Sequence, residues 1–435
     1  MSTEAVTAAA GRVTGSTGPA EGAPSARPAR VLALAQLANS IGDGGFYACS
    51  ALYFTRIAGV STPRVGLALT LGWAVGMLVG VPLGHLADRW GPRRTAVLLA
   101  TATAGALAAF LVIRSFPLFL LVVCLYACGQ AGLASARQAL LAGLVEPARR
   151  TTVRARLQST ANAGLAVGAA LGGLALWLDT AAGYRAVLAL DAVSFLVAAL
   201  VLRRLPEVPP APVRAGEPRL TVLRDRPYAL VTALNAVMYL YMPLLSLGLP
   251  LWIAQRTEAP TALAAALLVV NMLGVVLFQV RVARRVTDLT GATRAMGRAG
   301  LLMFAACAVY ALSAGGLGVA GTVLVLLAAS VLQVFGEMSQ GAAGWELGFG
   351  LAPADRQGQY QGFFGMGPQL ARTLGPALLT TLLLGWGVPG WLALGAIFLV
   401  AGLALGPAAR WAARTRVAGP APVPVQRVAA VLPLR

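Results

Sequence analysis

Six charged side chains lie within long apolar runs of the sequence, where an unpaired charge is costly. They are Asp43, Arg137, Asp191, Glu337, Glu346 and Arg372. Each costs about 2.5–3.5 kcal/mol at the centre of a membrane helix, so each needs a structural or chemical reason. A carboxyl group in a low-dielectric cavity can take up and release protons near neutral pH. The two acids nearest the middle of their runs, Glu337 and Asp43, are therefore the candidate proton carriers.

The other four charges have simpler explanations. Arg137 and Glu346 lie near the ends of their runs, where an ion pair or exposure at the membrane surface is sufficient. Asp191 comes early in its run, which favours a role in packing. Arg372 lies at mid-run, and a static ion pair between Arg372 and Glu337 is the alternative to proton transport by that acid.

Five uncharged polar residues in the apolar runs are candidates for contact with a ligand, although such residues also join helices to one another. With Arg372 they make up the predicted lining of a substrate cavity: Asn39, Asn235, Tyr239, Tyr241 and Gln333.

The composition indicates that these side chains sit in a membrane. Hydrophobic residues make up 58% of the 435 positions, charged residues only 11%, and the net charge is +19. A soluble chain has roughly a quarter of its residues charged. Every basic residue is an arginine, and the arginines fall in short gaps between apolar runs, which indicates a membrane surface and not nucleic acid as the partner. The four cysteines lie in apolar segments as small hydrophobic residues, so we expect no metal and no cofactor.

Twelve runs are long enough to cross a bilayer, which takes about 20 apolar residues. They span residues 31–55, 65–83, 95–113, 118–140, 158–178, 186–202, 228–254, 261–280, 295–312, 320–346, 361–384 and 390–409. Residues 1–30 predict a disordered tail without a cleavable signal peptide, and residues 410–435 predict a second loose tail. The sequence thus predicts an all-α integral membrane protein.

The arginines also predict the orientation of the helices. Five fall in gaps on one side of the predicted bundle: Arg56, Arg64, Arg114, Arg185 and Arg256. Most of the others fall on the opposite side, together with both tails, and the positive-inside rule assigns that side to the cytoplasm. We therefore expect a multi-pass protein of the cell membrane with both termini in the cytoplasm.

A proline-rich segment divides the chain into two similar halves. Residues 205–226 predict a cytoplasmic linker between two six-helix bundles, 31–204 and 227–409. Four residues of the fifth run recur in the eleventh at a constant offset of 203 positions: Gln158, Gly164, Leu171 and Gly172. Internal repetition of this kind is typical of transporters that hold substrate between two bundles.

The loop after the second run has a recognisable pattern. "GHLADRWGPRR" resembles the signature loop of the major facilitator superfamily, apart from Pro92, where a basic residue is common. The residues that carry the match are Gly84, Asp88, Arg89, Gly91, Arg93 and Arg94. The resemblance implies a conformational latch in which Asp88 meets the start of the eleventh helix near residues 358–361. It also implies that the arginines pair with acids of nearby loops such as Glu146. The alternative is a plain anchor of positive charge.

Two further features concern helix packing and the second half. Gly164, Gly168 and Gly172 recur every four residues, which predicts a flat face for close helix contact. The pattern is similar to a glycine motif of drug:proton antiporters but lacks its proline, while the eleventh run has Gly375 and Pro376. The loop "RVARRVTDLTGATR" resembles a degenerate copy of the signature loop.

The resemblance extends to function. Segments 51–70, 134–150 and 334–362 are similar to bacterial multidrug-type facilitators, in which the first, fourth, seventh and tenth helices line the cavity. This implies proton-coupled efflux of a small, largely apolar compound, a drug or secondary metabolite, by a monomer. Uptake of a small metabolite and a non-transporting membrane sensor are the alternatives. No enzyme motif is present, since the single histidine, His85, lies in the signature loop.

Overall fold

The computed structural model describes residues 26–113, 115–210 and 220–417, and all regular secondary structure in these ranges is helical. Long apolar runs dictate this outcome, because only a helix satisfies its own backbone hydrogen bonds in lipid. The helices are α1 (Ala26–Leu52, continued by a π-helical turn Tyr53–Ile57), α2 (Thr62–Trp90), α3 (Pro92–Phe110), α4 (Phe116–Leu144), α5 (Pro147–Leu178), α6 (Ala181–Leu202), α7 (Arg226–Arg256), α8 (Leu263–Ala283), α9 (Leu289–Leu312), α10 (Gly318–Gly350), α11 (Gln357–Phe364, Met366–Leu379 and a π-helical segment Thr380–Trp386) and α12 (Val388–Val417).

The predicted all-α membrane fold is confirmed. Nine of the twelve described helices are long and apolar enough to cross a membrane by length and composition. The other three are α1, α3 and α11. Helices α1 and α11 carry many of the polar residues and glycines. Helix α3 is only 19 residues long.

Several helices extend beyond their apolar runs, so the predicted boundaries need correction. The first helix begins at Ala26, inside the predicted tail 1–30, and the last runs to Val417, inside the predicted tail 410–435. The fifth begins at Pro147, about ten residues before the predicted run, because residues that leave the lipid can continue a helix against protein or water. The rest of both tails, Arg114 and residues 211–219 of the linker lie outside the described residues.

The helices form two halves, α1–α6 and α7–α12, each built around its own cluster of buried apolar side chains. The packing repeats from one half to the other. In the first half α1 packs on α5 and α6, and α3 packs on α4 and α6. In the second half α7 packs on α11 and α12, and α9 packs on α10 and α12. Each helix therefore has a counterpart six positions later, as in transporters built from repeats.

The halves meet where α2 crosses α11 and where α5 meets α8 and α10. At the α2–α11 crossing, a Cβ added at Gly84 would lie 2.2 Å from the carbonyl oxygen of Gly358, and the reverse substitution would be equally close. Glycine at both positions lets the two backbones touch. We call this end of the molecule the closed end. The opposite ends of α1 and α7 pack mainly within their own halves.

The glycines of α5 lie against α1. A Cβ at Gly168 would lie 2.0 Å from the carbonyl oxygen of Ile41, and one at Gly172 would lie 2.6 Å from Ala48 Cβ. Gly164 faces Ser40 in the same way. In the second half Gly375 takes a similar position against Pro243 of α7, next to Pro376, which lies within α11. These contacts bring the helices to backbone distance without interlocking side chains.

Gly168→Ala should therefore destabilise the protein. The added methyl group must push α1 and α5 apart, and overpacking of this kind costs about 1–3 kcal/mol. We expect a lower melting temperature in detergent. Gly173→Ala is the matched control on the same helix, since nothing lies within 4 Å of a Cβ there. Equal melting temperatures for the two variants would contradict the close contact.

Candidate functional site

Three cavities lie in and beside the space between the two halves, and Arg154 of α5 borders all three. Their volumes are about 290, 390 and 200 Å³. The first is lined by both halves, the second mainly by the second half, and the third by the first half. We refer to the three together as the central cavity. Its size suits a small organic compound.

Glu337 of α10 borders the central cavity, as the sequence predicted. Its carboxylate oxygen accepts a hydrogen bond from the side-chain amide of Asn271 on α8, at 2.6 Å. Arg372 borders the same cavity, but within the described residues no salt bridge joins it to Glu337. The alternative of a static Glu337–Arg372 pair is therefore absent from this conformation.

Asp43 borders the central cavity from the first half. Its carboxylate accepts a hydrogen bond from Gln130 at 2.8 Å, and Gln130 also lies 2.9 Å from the hydroxyl group of Tyr126. Arg137 borders the same part of the cavity and donates a hydrogen bond to Gln36 at 2.9 Å. Asp43 is thus held by a neutral amide and faces a cationic side chain across a small volume.

Asp191 lies nearer the middle of its helix than the sequence predicts. Because α6 begins at Ala181, five residues before the predicted run, Asp191 lies near the middle of its helix and is fully buried. Its carboxylate packs against α1 where Gly42 leaves space, and it accepts a hydrogen bond from Ser194 at 3.3 Å. This contact joins α6 to α1 one residue from Asp43.

Arg154 is the main residue that the sequence analysis missed. The predicted apolar run begins at residue 158, which places Arg154 in the preceding loop. In the structure its guanidinium group lies over the ring of Trp345 on α10, 5.2 Å from the centroid. It also donates to Gln158 at 3.4 Å, and Gln158 donates to Asn162 at 3.1 Å. Arg154, Gln158 and Asn162 recur every four residues along α5, and this spacing in the sequence indicates a polar face of the helix.

The predicted lining residues divide into two groups. Tyr239, Tyr241 and Arg372 border the central cavity, and the two tyrosine rings lie 6.0 Å apart. Further lining residues that were not predicted are Trp73, Gln130, Asn271 and Trp345.

Three predicted lining residues lie elsewhere in this conformation, and none of them borders the described cavities. Asn39 is fully buried in α1. Asn235 is fully buried and accepts a hydrogen bond from Gln340 at 2.9 Å. Gln333 accepts a hydrogen bond from Tyr310 of α9 at 2.9 Å, inside the second half. These three side chains are buried against neighbouring helices and do not face the cavities. The sequence pattern does not show on which side of its helix each residue lies.

At the closed end, Asp88 of α2 binds the start of α11. Its two carboxylate oxygens accept hydrogen bonds from the backbone N–H groups of Gly358 and Gln359, at 2.6 and 2.9 Å. These N–H groups have no partners within their own helix, and the helix dipole favours an anion there. One buried side chain thus fastens one half to the other.

Two arginines of the signature loop pair with an acid of a nearby loop, as expected, but this acid is Glu207 and not the candidate Glu146. Arg93 donates to Glu207 at 2.5 Å and to the carbonyl oxygen of Leu205 at 2.8 Å, and Arg94 lies 3.6 Å from Glu207. Glu207 belongs to the linker after α6. Arg89 is half-buried at the end of α2. Gly91 has φ of +91°, which permits the sharp turn into α3.

The start of α11 is itself anchored within the second half. Asp225 caps α7 and accepts a hydrogen bond from Tyr360 at 2.8 Å and from Arg416 at 2.6 Å. The guanidinium group of Arg416 lies over the ring of Tyr360, 4.9 Å from the centroid. Asp88 therefore binds a helix start that is rigidly attached to α7 and α12.

Comparisons with known proteins agree with this architecture. The human organic anion transporter MFSD10 (TETRAN) is 18% identical, with a TM-score of 0.66 over 88% of this chain and 99% of that chain. A bacterial homologue of the iron transporter ferroportin, in an outward-facing state, is 17% identical, with a TM-score of 0.66 over 89% and 100%. The E. coli fucose:proton symporter FucP is 15% identical, with a TM-score of 0.65 over 89% and 99%. At these identities the likeness concerns the fold.

Sequence comparison supplies the family. No curated protein sequence matches the chain significantly. The profile of the Major Facilitator Superfamily, however, matches residues 32–376, which is most of the chain. The chain therefore belongs to the Major Facilitator Superfamily of membrane transporters.

Proposed function

We propose that the protein is a proton-coupled secondary transporter that exports a small, largely apolar compound across the cell membrane by alternating access. The observation that carries this proposal is a cavity between two similar halves, with titratable acids in its wall and one end closed by Asp88. We propose that the closed end is cytoplasmic, in line with the arginine distribution, and that the protein works as a monomer.

Alternating access requires the closed end to open while the opposite end closes. The bonds from Asp88 to α11 hold this end closed, and we propose that they break when it opens, so that they stabilise the closed conformation selectively. A proton bound by Glu337 or Asp43 at the outer side would be released at the inner side. One proton that moves through 100 mV supplies about 2.3 kcal/mol, enough for roughly a fiftyfold substrate gradient.

Uptake together with protons is the second candidate function, and one observation favours it. Arg154 and Arg372 border the central cavity, and within the described residues neither forms a salt bridge with an acid. Protonation of Glu337 makes such a cavity more positive and favours an anion. Proton and anion would then bind together and move in the same direction.

Transport by purified protein in proteoliposomes tests the proposal. The compounds are small aromatic molecules in matched sets, each consisting of a carboxylate, a sulfonate, a carboxamide and an amine on the same framework. An imposed pH gradient should drive at least one compound against its concentration gradient. Accumulation on the acidic side supports export by exchange, whereas accumulation on the alkaline side supports uptake. A sensor without transport activity would move them no more than protein-free liposomes do, in which weak acids and amines already redistribute across a pH gradient.

The orientation can be tested by cysteine labelling. Ser61 lies exposed between α1 and α2, and Arg203 lies exposed at the end of α6 near the closed end. In a variant without the four native cysteines, a membrane-impermeant thiol reagent added to intact cells should label Ser61→Cys. It should label Arg203→Cys only after the cells are opened. The reverse pattern would contradict the proposed orientation.

A further inference from the structure

The central cavity contains two arginines that form no salt bridge within the described residues. Arg154 and Arg372 both border the first and the second cavity, so both face the space where a compound would bind. The Nε atom of Arg154 is buried without a hydrogen-bond partner in the described structure. Arg372 is exposed to the cavity. A guanidinium nitrogen held away from water favours a ligand of opposite charge, which applies to Arg154, and the exposed Arg372 faces the same space and can add a second contact.

The nearby acids are bound by neutral groups and do not fill this role. Glu337 accepts its hydrogen bond from Asn271, and Asp43 accepts its hydrogen bond from Gln130. Arg137, the third cavity arginine, lies beside Asp43 and binds Gln36. With both acids ionised the cavity still has a net charge of one positive unit, and it has more when they are protonated.

Aromatic and apolar residues line part of the wall around the two arginines, beside several amide side chains. Trp345, Tyr239 and Pro368 border the same two cavities as Arg154 and Arg372. Trp73 and Met77 line the adjoining wall of the first half. Such surfaces bind flat or apolar bodies, while a guanidinium group binds a carboxylate or sulfonate through two parallel hydrogen bonds.

We propose that the central cavity binds an amphipathic organic anion, whose charged group lies between Arg154 and Arg372 and whose apolar body contacts Trp345 and Tyr239. This names the substrate class of the second candidate function, uptake together with protons, and it rests on that function for the statement that the bound compound is transported. The binding itself can be measured without transport.

The position of Glu337 gives this site a pH dependence of known sign. The charged and titratable groups that share the second cavity with Glu337 are Arg154, Arg372, Tyr239 and Tyr241, while α8 contributes the neutral Asn271. Asp43, Arg137 and Tyr47 line the two adjoining cavities. Ionised Glu337 repels a bound anion, and protonation removes that repulsion. Anion affinity therefore rises as the pH falls through the titration of Glu337. The site thus favours co-transport of anion and proton.

The experiment measures binding to the detergent-solubilised protein, using the matched compound sets defined above. At pH 7.5 we expect the carboxylate of at least one set to bind at least tenfold more tightly than its carboxamide, with the amine weaker still. Arg372→Gln and Arg154→Gln should each lower carboxylate affinity about tenfold or more, while Arg372→Lys should retain more of it than Arg372→Gln. Arg281→Gln is the control, because Arg281 lies over Phe278 and does not border the cavity.

The pH dependence is measured with the sulfonates, which stay ionised throughout. Their affinity should rise from pH 8 to pH 5.5 in the wild-type protein and lose this rise in Glu337→Gln. The proposal is overturned if no carboxylate binds better than its carboxamide, or if both arginine variants bind carboxylates as the wild type does. Transport of carboxamides or amines without anion binding would refute the proposed anion and leave the transport function standing. Anion binding without any transport would support the proposed anion and refute the transport function.

Discussion

Glu337→Gln is expected to abolish uphill transport driven by a pH gradient and to leave exchange of substrate for substrate intact. Glutamine has the shape of a protonated glutamate, and its carbonyl oxygen can still accept the hydrogen bond from Asn271. The variant therefore keeps the fold but cannot bind and release a proton. Exchange needs no net proton movement, so it should continue. The measurement compares both modes of transport in proteoliposomes that contain equal amounts of protein.

The matched control is Glu346→Gln on the same helix. Glu346 lies at the closed end and accepts a hydrogen bond from Thr151 of α5, away from the described cavities. We expect this variant to keep its coupling to protons. If well-folded Glu337→Gln still accumulates substrate against a gradient, Glu337 is not the proton carrier, and Asp43 becomes the acid to test. Loss of both transport modes with a lower melting temperature would instead indicate a structural role.

Asp88→Asn is expected to lower transport at least tenfold while substrate binding changes little. An asparagine carries no charge and offers only one oxygen, so one of the N–H groups of Gly358 and Gln359 loses its acceptor. Hydrogen bonds to a charged group contribute about 1.5–3 kcal/mol. A loss of about 2 kcal/mol shifts the balance between conformations about thirtyfold away from the form that is closed at this end.

Accessibility at the closed end provides the second readout for this variant. Ser135 is buried beside Gly80 and Gly362 where the halves meet. A cysteine at position 135 should react with a thiol reagent faster in Asp88→Asn than in the wild-type background. Glu207→Gln is the control, since it makes the same change of acid to amide at an exposed partner of Arg93. Wild-type transport and wild-type reactivity in Asp88→Asn would exclude the latch.

The helical fold was predictable because the composition and the length of the apolar runs require it. About 20 apolar residues cross a bilayer, and the helix is the simplest way to satisfy their backbone there. The ends of the helices were less predictable. At Pro147 and Val417 the chain continues as helix beyond its apolar run. Hydropathy alone cannot show this, because a helix that leaves lipid needs no apolar residues.

The same limit explains which site residues were predicted. Glu337 and Asp43 stood out because an acid within an apolar run is rare and costly. Arg154 was missed because it lies in the part of α5 that precedes the apolar run. Asn39 and Gln333 were placed in the cavity, yet both face other helices. Which way a side chain points around a helix depends on the packing of its neighbours, and one sequence does not contain that information directly.

Proton movement driven by substrate tests proton coupling most directly. Proteoliposomes with a pH-sensitive dye inside receive an outward or inward gradient of a compound that the protein binds, with the membrane potential clamped. Proton-coupled transport predicts a change of internal pH in the wild type and none in Glu337→Gln. Protons that move against the compound indicate exchange, and protons that move with it indicate co-transport. Movement of the compound at an unchanged internal pH would contradict proton coupling.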